Sequence, residues 1–314
     1  MDTYKSNRHV LVDLINELSD PMELAHTGEH PVLKKLSGIK CVVFDFYGTM
    51  FISGTGDTVI EAPKESRKKA FKDAFKAVFP NITKQPDSNT GVEAYQEAIH
   101  NHKQRLKESG IDFPEVNILD VWKDVLTQLH KNNPDIPSEP DKQLLKRLTI
   151  EFEMRDNPTW PMPDLGACLE TLYESGFLLG ILSNSQFYTP LIYEAHLGTP
   201  PAKDWFDINI CIWSYQEQRC KPSLAFHGEL KRALAHHHNI EPSEVLFVGN
   251  DMLKDIYPAV HHGFKTALFA GDARSLKWRK NDDRCKDINP DLVVTRLNQL
   301  TECLIPPSVS ENSL

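Results

Sequence analysis

The chain has no apolar run long enough to cross a bilayer. Its longest, such as CVVF (41–44) and FLLGIL (177–182), are of strand length, whereas a spanning helix needs roughly 18 or more apolar residues. The N-terminus, MDTYKSNRHVLVDLINELSD, lacks a basic stretch leading into an apolar core and a small-residue cleavage site. Six cysteines are scattered with no CxxC pair. That excludes a thiolate zinc site and a disulfide framework, and reduced thiols in a cytoplasmic protein are expected. There is no basic excess, with 35 Lys and Arg against 44 Asp and Glu and a net charge of -9. No global field therefore draws the chain to nucleic acid or an anionic membrane, although one local positive site still suits a small anion. With 15 Gly, 21 Pro, 40% hydrophobic and 25% charged residues, the composition excludes collagen, wholesale disorder and coiled coil. A length of 314 residues suits one large or two modest domains.

What is present is an alternation. IKCVVF (39–44) is a continuous apolar, β-branched run that ends at Asp45 and a glycine turn. FLLGILSN (177–184), VLFVGND (245–251) and KTALFAG (265–271) are similar runs, each preceded by a segment of helical periodicity. DINICIW (207–213) and DLVVT (291–295) read as further strands. Continuous apolar strands alternating with helices predict a doubly wound parallel α/β sheet, buried on both faces. Residues 1–37 read as a helical extension. Residues 38–62 and 159–305 form the α/β core, and 63–158 a helical insertion rich in Lys, Glu, Gln and Ala. Residues 306–314 read as a flexible tail.

Sites in open α/β sheets form beyond the carboxyl ends of the strands. There this chain has Asp45 and Tyr47, then Ser183 and Asn184, then Lys221 in RCKPS, then Asp251 and Asp255. Carboxylates at strand ends are costly unless paired or bound to a cation. Hard oxygen donors suit Mg²⁺. Lys221 offers a point charge for a phosphate or a nucleophilic carboxylate, and Ser183 offers a donor. Other conspicuous residues read as structural. His236–His238 and His261–His262 are helix ends, and Cys220 is a passive thiol. Phe71, Phe75, Phe79 and Trp122 are the core of the insertion, and SLKWRKNDDR (275–284) is a surface loop before the last strand.

Four segments in order, VVFDFYGTM, GILSN, CKPS and FVGNDMLKDI, resemble the motifs of the haloacid dehalogenase superfamily. The resemblance covers about 38–62 and 160–300. It implies a Rossmann-like core with an α-helical cap domain inserted after the first motif. It further implies Asp45 as a nucleophile forming an aspartyl intermediate, and Mg²⁺ held by Asp45, Asp251 and the Tyr47 carbonyl. Ser183 would bond the transferring group, with Tyr47 and Asn184 against the substrate. Lys221 would keep Asp45 ionised, and Asp255 would anchor Lys221 or a metal-bound water. The substrate expected is a small phosphorylated metabolite. Oligomeric state stays open.

One position departs from that pattern. Phosphatases of the superfamily usually carry a second Asp two residues after the nucleophile, which protonates the leaving group; here Tyr47 stands there. D-x-Y-G-T resembles the superfamily's metal-free 2-haloacid dehalogenases, whose fourth motif is S-S-N-x-x-D. V-G-N-D-x-x-x-D resembles the Mg²⁺-binding phosphatase form. The expectation is a Mg²⁺-dependent phosphatase. The alternatives are a metal-independent C–halogen hydrolase and a catalytically weak binding or regulatory module.

Overall fold

Six parallel strands make the central sheet of this computed structural model, which describes residues 2–56 and 64–306. In chain order they are β1 (Cys41–Phe44), β4 (Leu178–Ser183), β5 (Phe206–Trp213), β6 (Val245–Gly249), β7 (Lys265–Phe269) and β8 (Leu292–Val294). They lie side by side as β5-β4-β1-β6-β7-β8. All four residues of β1 are fully buried, as expected of a continuous apolar run covered on both faces. Cys41 to Phe44 pair with Leu178 to Ile181 on one side and Val245 to Val248 on the other. This register brings the ends of β1, β4 and β6 to one edge.

Two strands escape the sequence reading. β2 (Phe51–Ser53) and β3 (Thr159–Pro161) pair antiparallel as a small separate ribbon. Between them run α2 (Lys64–Val78), α3 (Ser88–Glu108), α4 (Ile118–His130) and α5 (Lys142–Asp156). Asp87, Asn117 and Asp141 cap α3, α4 and α5 with side-chain oxygens that accept from backbone N–H groups of the first turn. The four helices close around Trp122. Its ring lies 4.9 Å from Tyr95 and 5.1 Å from Phe152, with Phe71 and Phe75 at 6.2 Å. The sequence boundary at 62–63 and the tail at 307–314 lie outside the described residues.

The N-terminal stretch is woven into the molecule. α1 (Asp2–Leu18) buries Leu11 and Ile15, and its Arg8 pairs with Glu194 of α7 (Thr189–Leu197). Beyond it, Val32 and Val293 exchange backbone bonds of 2.8 and 3.0 Å beside β8. Residues 23–29 fasten a loop that follows β7. The Ala273 N–H donates to the Ala25 carbonyl, Arg274 to the Glu23 carbonyl, and the Trp278 indole to the Glu29 carboxylate.

A polar cluster is buried among the inserted helices. Tyr95 donates to Glu153 at 2.8 Å, and Arg67 pairs with Asp156 at 3.0 Å. Burial, then the Asp156 carboxylate, push Glu153 up to about 7. Folded, Glu153 thus keeps its proton to near neutrality, whereas the unfolded chain loses it near 4.5. Between those values the unfolded state binds fewer protons, so stability falls as pH rises. The loss from pH 4.5 to 7.5 should be on the order of 2–3 kcal/mol. Glu153→Gln should remove that part of the slope, read as the difference between wild-type and variant urea-unfolding free energies across this range. An unchanged slope would show that Glu153 is ionised in the folded protein.

Candidate active site

Asp45 follows β1 directly, and its N–H continues the ladder to the Val248 carbonyl at 2.9 Å. The chain then turns tightly. Gly48 takes φ +83°, and a Cβ there would lie 2.5 Å from the Ser275 side chain and 2.9 Å from the Asn250 amide. Only glycine fits this combination of backbone and crowding. Next to it, Thr49 donates to Asn250 at 3.0 Å, tying the end of β1 to the end of β6.

Lys221 lies between two carboxylates. Its ammonium is 2.6 Å from Asp45 and 2.7 Å from Asp255, and all three side chains are less than a tenth exposed. Burial pulls the ammonium down, but Asp255 and Asp45 outweigh it and hold Lys221 charged, above its ordinary value. Burial pushes Asp255 upward against the pull of Lys221. Asn184, just past β4, fixes the lysine's backbone by accepting the Lys221 N–H at 2.8 Å. Asp255 reaches back to accept the Asp251 N–H at 2.9 Å. That approach depends on Gly249, where a Cβ would sit 2.3 Å from the Asp255 carboxyl carbon.

Asp251 caps the π-helical turn Met252–Ile256, accepting from Leu253 and Lys254 at 2.8 and 3.2 Å. Arg279 covers the rest of this carboxylate. Its Nε lies 3.1 and 3.2 Å from the two oxygens, and its second terminal nitrogen 2.6 Å from Oδ2. Tyr47 bonds the Thr189 hydroxyl at 2.9 Å. Burial pushes its phenol well above the ordinary value of 10, more than that bond pulls it down, so it stays neutral.

Two adjoining cavities share Tyr47 and Asn184 in their walls. The smaller, about 30 Å³, is bordered by Asp45, Asp251 and Asp255 together with Lys221, Lys254 and Lys277. The larger, about 100 Å³, runs under the inserted helices past Tyr95, Tyr188, Lys103, Glu115 and Glu153. Burial raises Glu115 as well. Of the residues singled out in the sequence, Asp45, Tyr47, Asn184, Lys221, Asp251 and Asp255 border the small cavity. Ser183 does not. It is wholly buried, and its hydroxyl donates to the Asn184 carbonyl at 3.3 Å.

The 275–284 segment, expected as a surface loop, belongs to the site through Ser275, Lys277 and Arg279. Its signal in the sequence is a basic cluster, KWRK, in an acidic chain. Mg²⁺ at Asp45 and Asp251 was the sequence expectation. The donor set as folded does not fit it, because Arg279 and two backbone amides occupy Asp251 while Lys221 neutralises Asp45. Among the described residues no group of three or more His, Cys, Asp or Glu side chains is arranged to hold a metal. No helix among them is long and apolar enough to cross a membrane.

Solved structures share this architecture. A 2-haloacid dehalogenase from Pseudomonas syringae pv. Tomato DC3000 superposes with a TM-score of 0.55 at 20% identity, over 84% of this chain and 97% of that one. An L-2-haloacid dehalogenase from Xanthobacter autotrophicus gives 0.47 at 20% identity, and a HAD phosphatase from Thermococcus onnurineus 0.47 at 19%. Both cover the same shares of the two chains, 84% and 97%. Among curated proteins none matches. The haloacid dehalogenase-like hydrolase family matches residues 39–263, a span that contains every strand-end residue described above except the loop carrying Arg279, and the chain belongs to that family of hydrolases.

Proposed function

We propose that this chain is a phosphatase of small phosphorylated molecules that works through an aspartyl-phosphate on Asp45. The observation that carries this reading is the Asp45–Lys221–Asp255 array, bonded at 2.6 and 2.7 Å beside a small cavity that Lys254 and Lys277 also border. Lys221 keeps Asp45 an anion, ready to attack, and stabilises charge that develops on the transferring group. The lysines around the small cavity favour an anion there, and the larger cavity takes the rest of the substrate.

The steps follow from these groups. An Asp45 oxygen forms a bond to phosphorus as the bond to the leaving oxygen breaks, and the leaving oxygen takes a proton from solvent. Water then attacks phosphorus and returns a proton to solvent, the bond between the Asp45 oxygen and phosphorus breaks, and phosphate leaves with the Asp45 carboxylate restored. Tyr47 is the weak point of this cycle. Its neutral phenol can give a proton but is a poor base near neutral pH. Acyl phosphates, pyrophosphates and aryl phosphates, whose leaving groups need little protonation, suit such a site.

A second reading, displacement of halide from carbon, draws support from Tyr47 in D-x-Y-G-T and from Arg279 on Asp251. A panel of phosphorylated metabolites and an aryl phosphate, run beside 2-haloacids with and without chelator, separates the two. Phosphate release is expected. Halide release alone would establish the second reading. Asp45→Asn should abolish turnover with the fold intact; full residual turnover would rule out a covalent role for Asp45. Tyr47→Asp should raise alkyl phosphate hydrolysis by up to about 10²–10⁴-fold, the usual worth of general acid–base catalysis, with a smaller gain on aryl phosphates. Equal losses on both classes would mean that Tyr47 matters as a wall of the two cavities and not as a missing acid.

A further inference from the structure

A divalent ion would find its expected carboxylates already neutralised by this chain's own side chains. Arg279 meets both oxygens of Asp251, the closest contact being 2.6 Å, and Asp251 is nearly fully buried. A two-point guanidinium–carboxylate pair of this kind is among the stronger charge-assisted contacts.

The surrounding backbone is shaped to deliver Arg279. Lys277 pairs with the end of β6, its N–H donating to the Asn250 carbonyl at 3.0 Å and its carbonyl accepting the Met252 N–H at 2.9 Å. Two residues on, Arg279 adopts φ +50°, a left-handed backbone that non-glycine residues avoid unless other contacts enforce it. Upstream, the same loop is fastened to residues 23–29 by the Ala273, Arg274 and Trp278 bonds described above. Neither fastening depends on a metal.

Lys221, Lys254, Lys277 and Arg279 stand beside Asp45, Asp251 and Asp255, so a divalent ion added to this set would meet four cationic side chains at close range.

We propose that Arg279 is the resident cation of Asp251, taking the place of a divalent ion, and that hydrolysis by this chain needs no bound metal. The catalytic half of this inference rests on the phosphatase reading; the binding half does not. Mn²⁺ is the probe, its free concentration read by electron paramagnetic resonance over the metal-stripped full chain. Wild type should leave Mn²⁺ free. Arg279→Ala should bind one ion at least about tenfold tighter, the equivalent of a released charge-assisted bond, and adding Asp251→Asn should abolish that gain. Arg279→Lys, which keeps one charge, serves as the folded intermediate if the alanine variant melts early. Phosphate release by wild type should be indifferent to chelator, and that of Arg279→Ala should come to depend on Mn²⁺. Equal Mn²⁺ affinity in wild type and Arg279→Ala, or binding by neither, would overturn the role of Arg279. Absence of phosphate release under every condition would instead overturn the phosphatase reading and leave the Mn²⁺ result to decide the inference.

Discussion

One buried ammonium organises the carboxyl edge of the sheet. Lys221 is held by Asp45 from the end of β1 and by Asp255 from the turn after β6, and its backbone is gripped by Asn184 after β4. Three strands must therefore end in register for the charges to cancel. Removing one partner of a buried ion pair strands the other, at a cost of about 3–5 kcal/mol. Here loss of Lys221 would strand two carboxylates. Gly249 is part of the same constraint, since any side chain there would drive Asp255 off the lysine. The array is costly to assemble as well as to break, because each charge leaves water to enter it. A fold that maintains such an arrangement at the mouth of a cavity holds Asp45 against an ammonium and only slightly exposed.

The second organising element is a chain of contacts that starts far from the sheet edge. Residues 23–29 fasten the loop after β7, that loop pairs its backbone with Asn250 and Met252, and its Arg279 covers Asp251. The N-terminal extension lies outside the strand-end residues yet holds a wall of the site. It also spans the molecule, since α1 packs its Leu11 and Ile15 into the main apolar core and Val32 lies beside β8. Its helical character could be read from Val10, Leu11, Leu14, Ile15 and Leu18 at helical spacing. Where it packs could not, because that depends on partners more than 100 residues away.

Legibility in the sequence follows the range of the interactions. The inner strands β1, β4, β6 and β7 were readable because burial on both faces forces continuous apolar runs. The helices of the insertion were readable from their periodicity. The ribbon of β2 and β3 was not, since three residues per strand carry no periodicity and the pairing joins Phe51 to Pro161 across the whole insertion. Asp45, Lys221, Asp251 and Asp255 were legible because the motifs mark strand ends. Ser183 stands one position short of the cavity wall. It ends β4 inside the packed interior, and Asn184, the next residue, reaches both cavities. Arg279 was illegible for a different reason. A run of charged residues normally means a solvated loop, and only the bridge between Lys277 and Asp251 turns this one inward.

An acidic net charge and a lysine-lined cavity are compatible, because they live on different length scales. Net charge acts at a distance, where salt screens it within about 8–10 Å. Inside the small cavity the field is set by side chains in contact, and there three lysines face three carboxylates. Tyr47 marks the limit of that charged region. On one side of it stand Asp45 and the lysines; on the other, Tyr95, Tyr188 and the carboxyls of Glu115 and Glu153, both raised by burial. A phenol kept neutral by burial separates these compartments without adding charge to either. An aspartate at the same position would add a fourth carboxylate to the three that already border the small cavity. In a site whose cations are fixed side chains, a neutral residue at 47 leaves the three lysines matched by three carboxylates, so the departure at Tyr47 and the guanidinium on Asp251 belong to the same electrostatic arrangement.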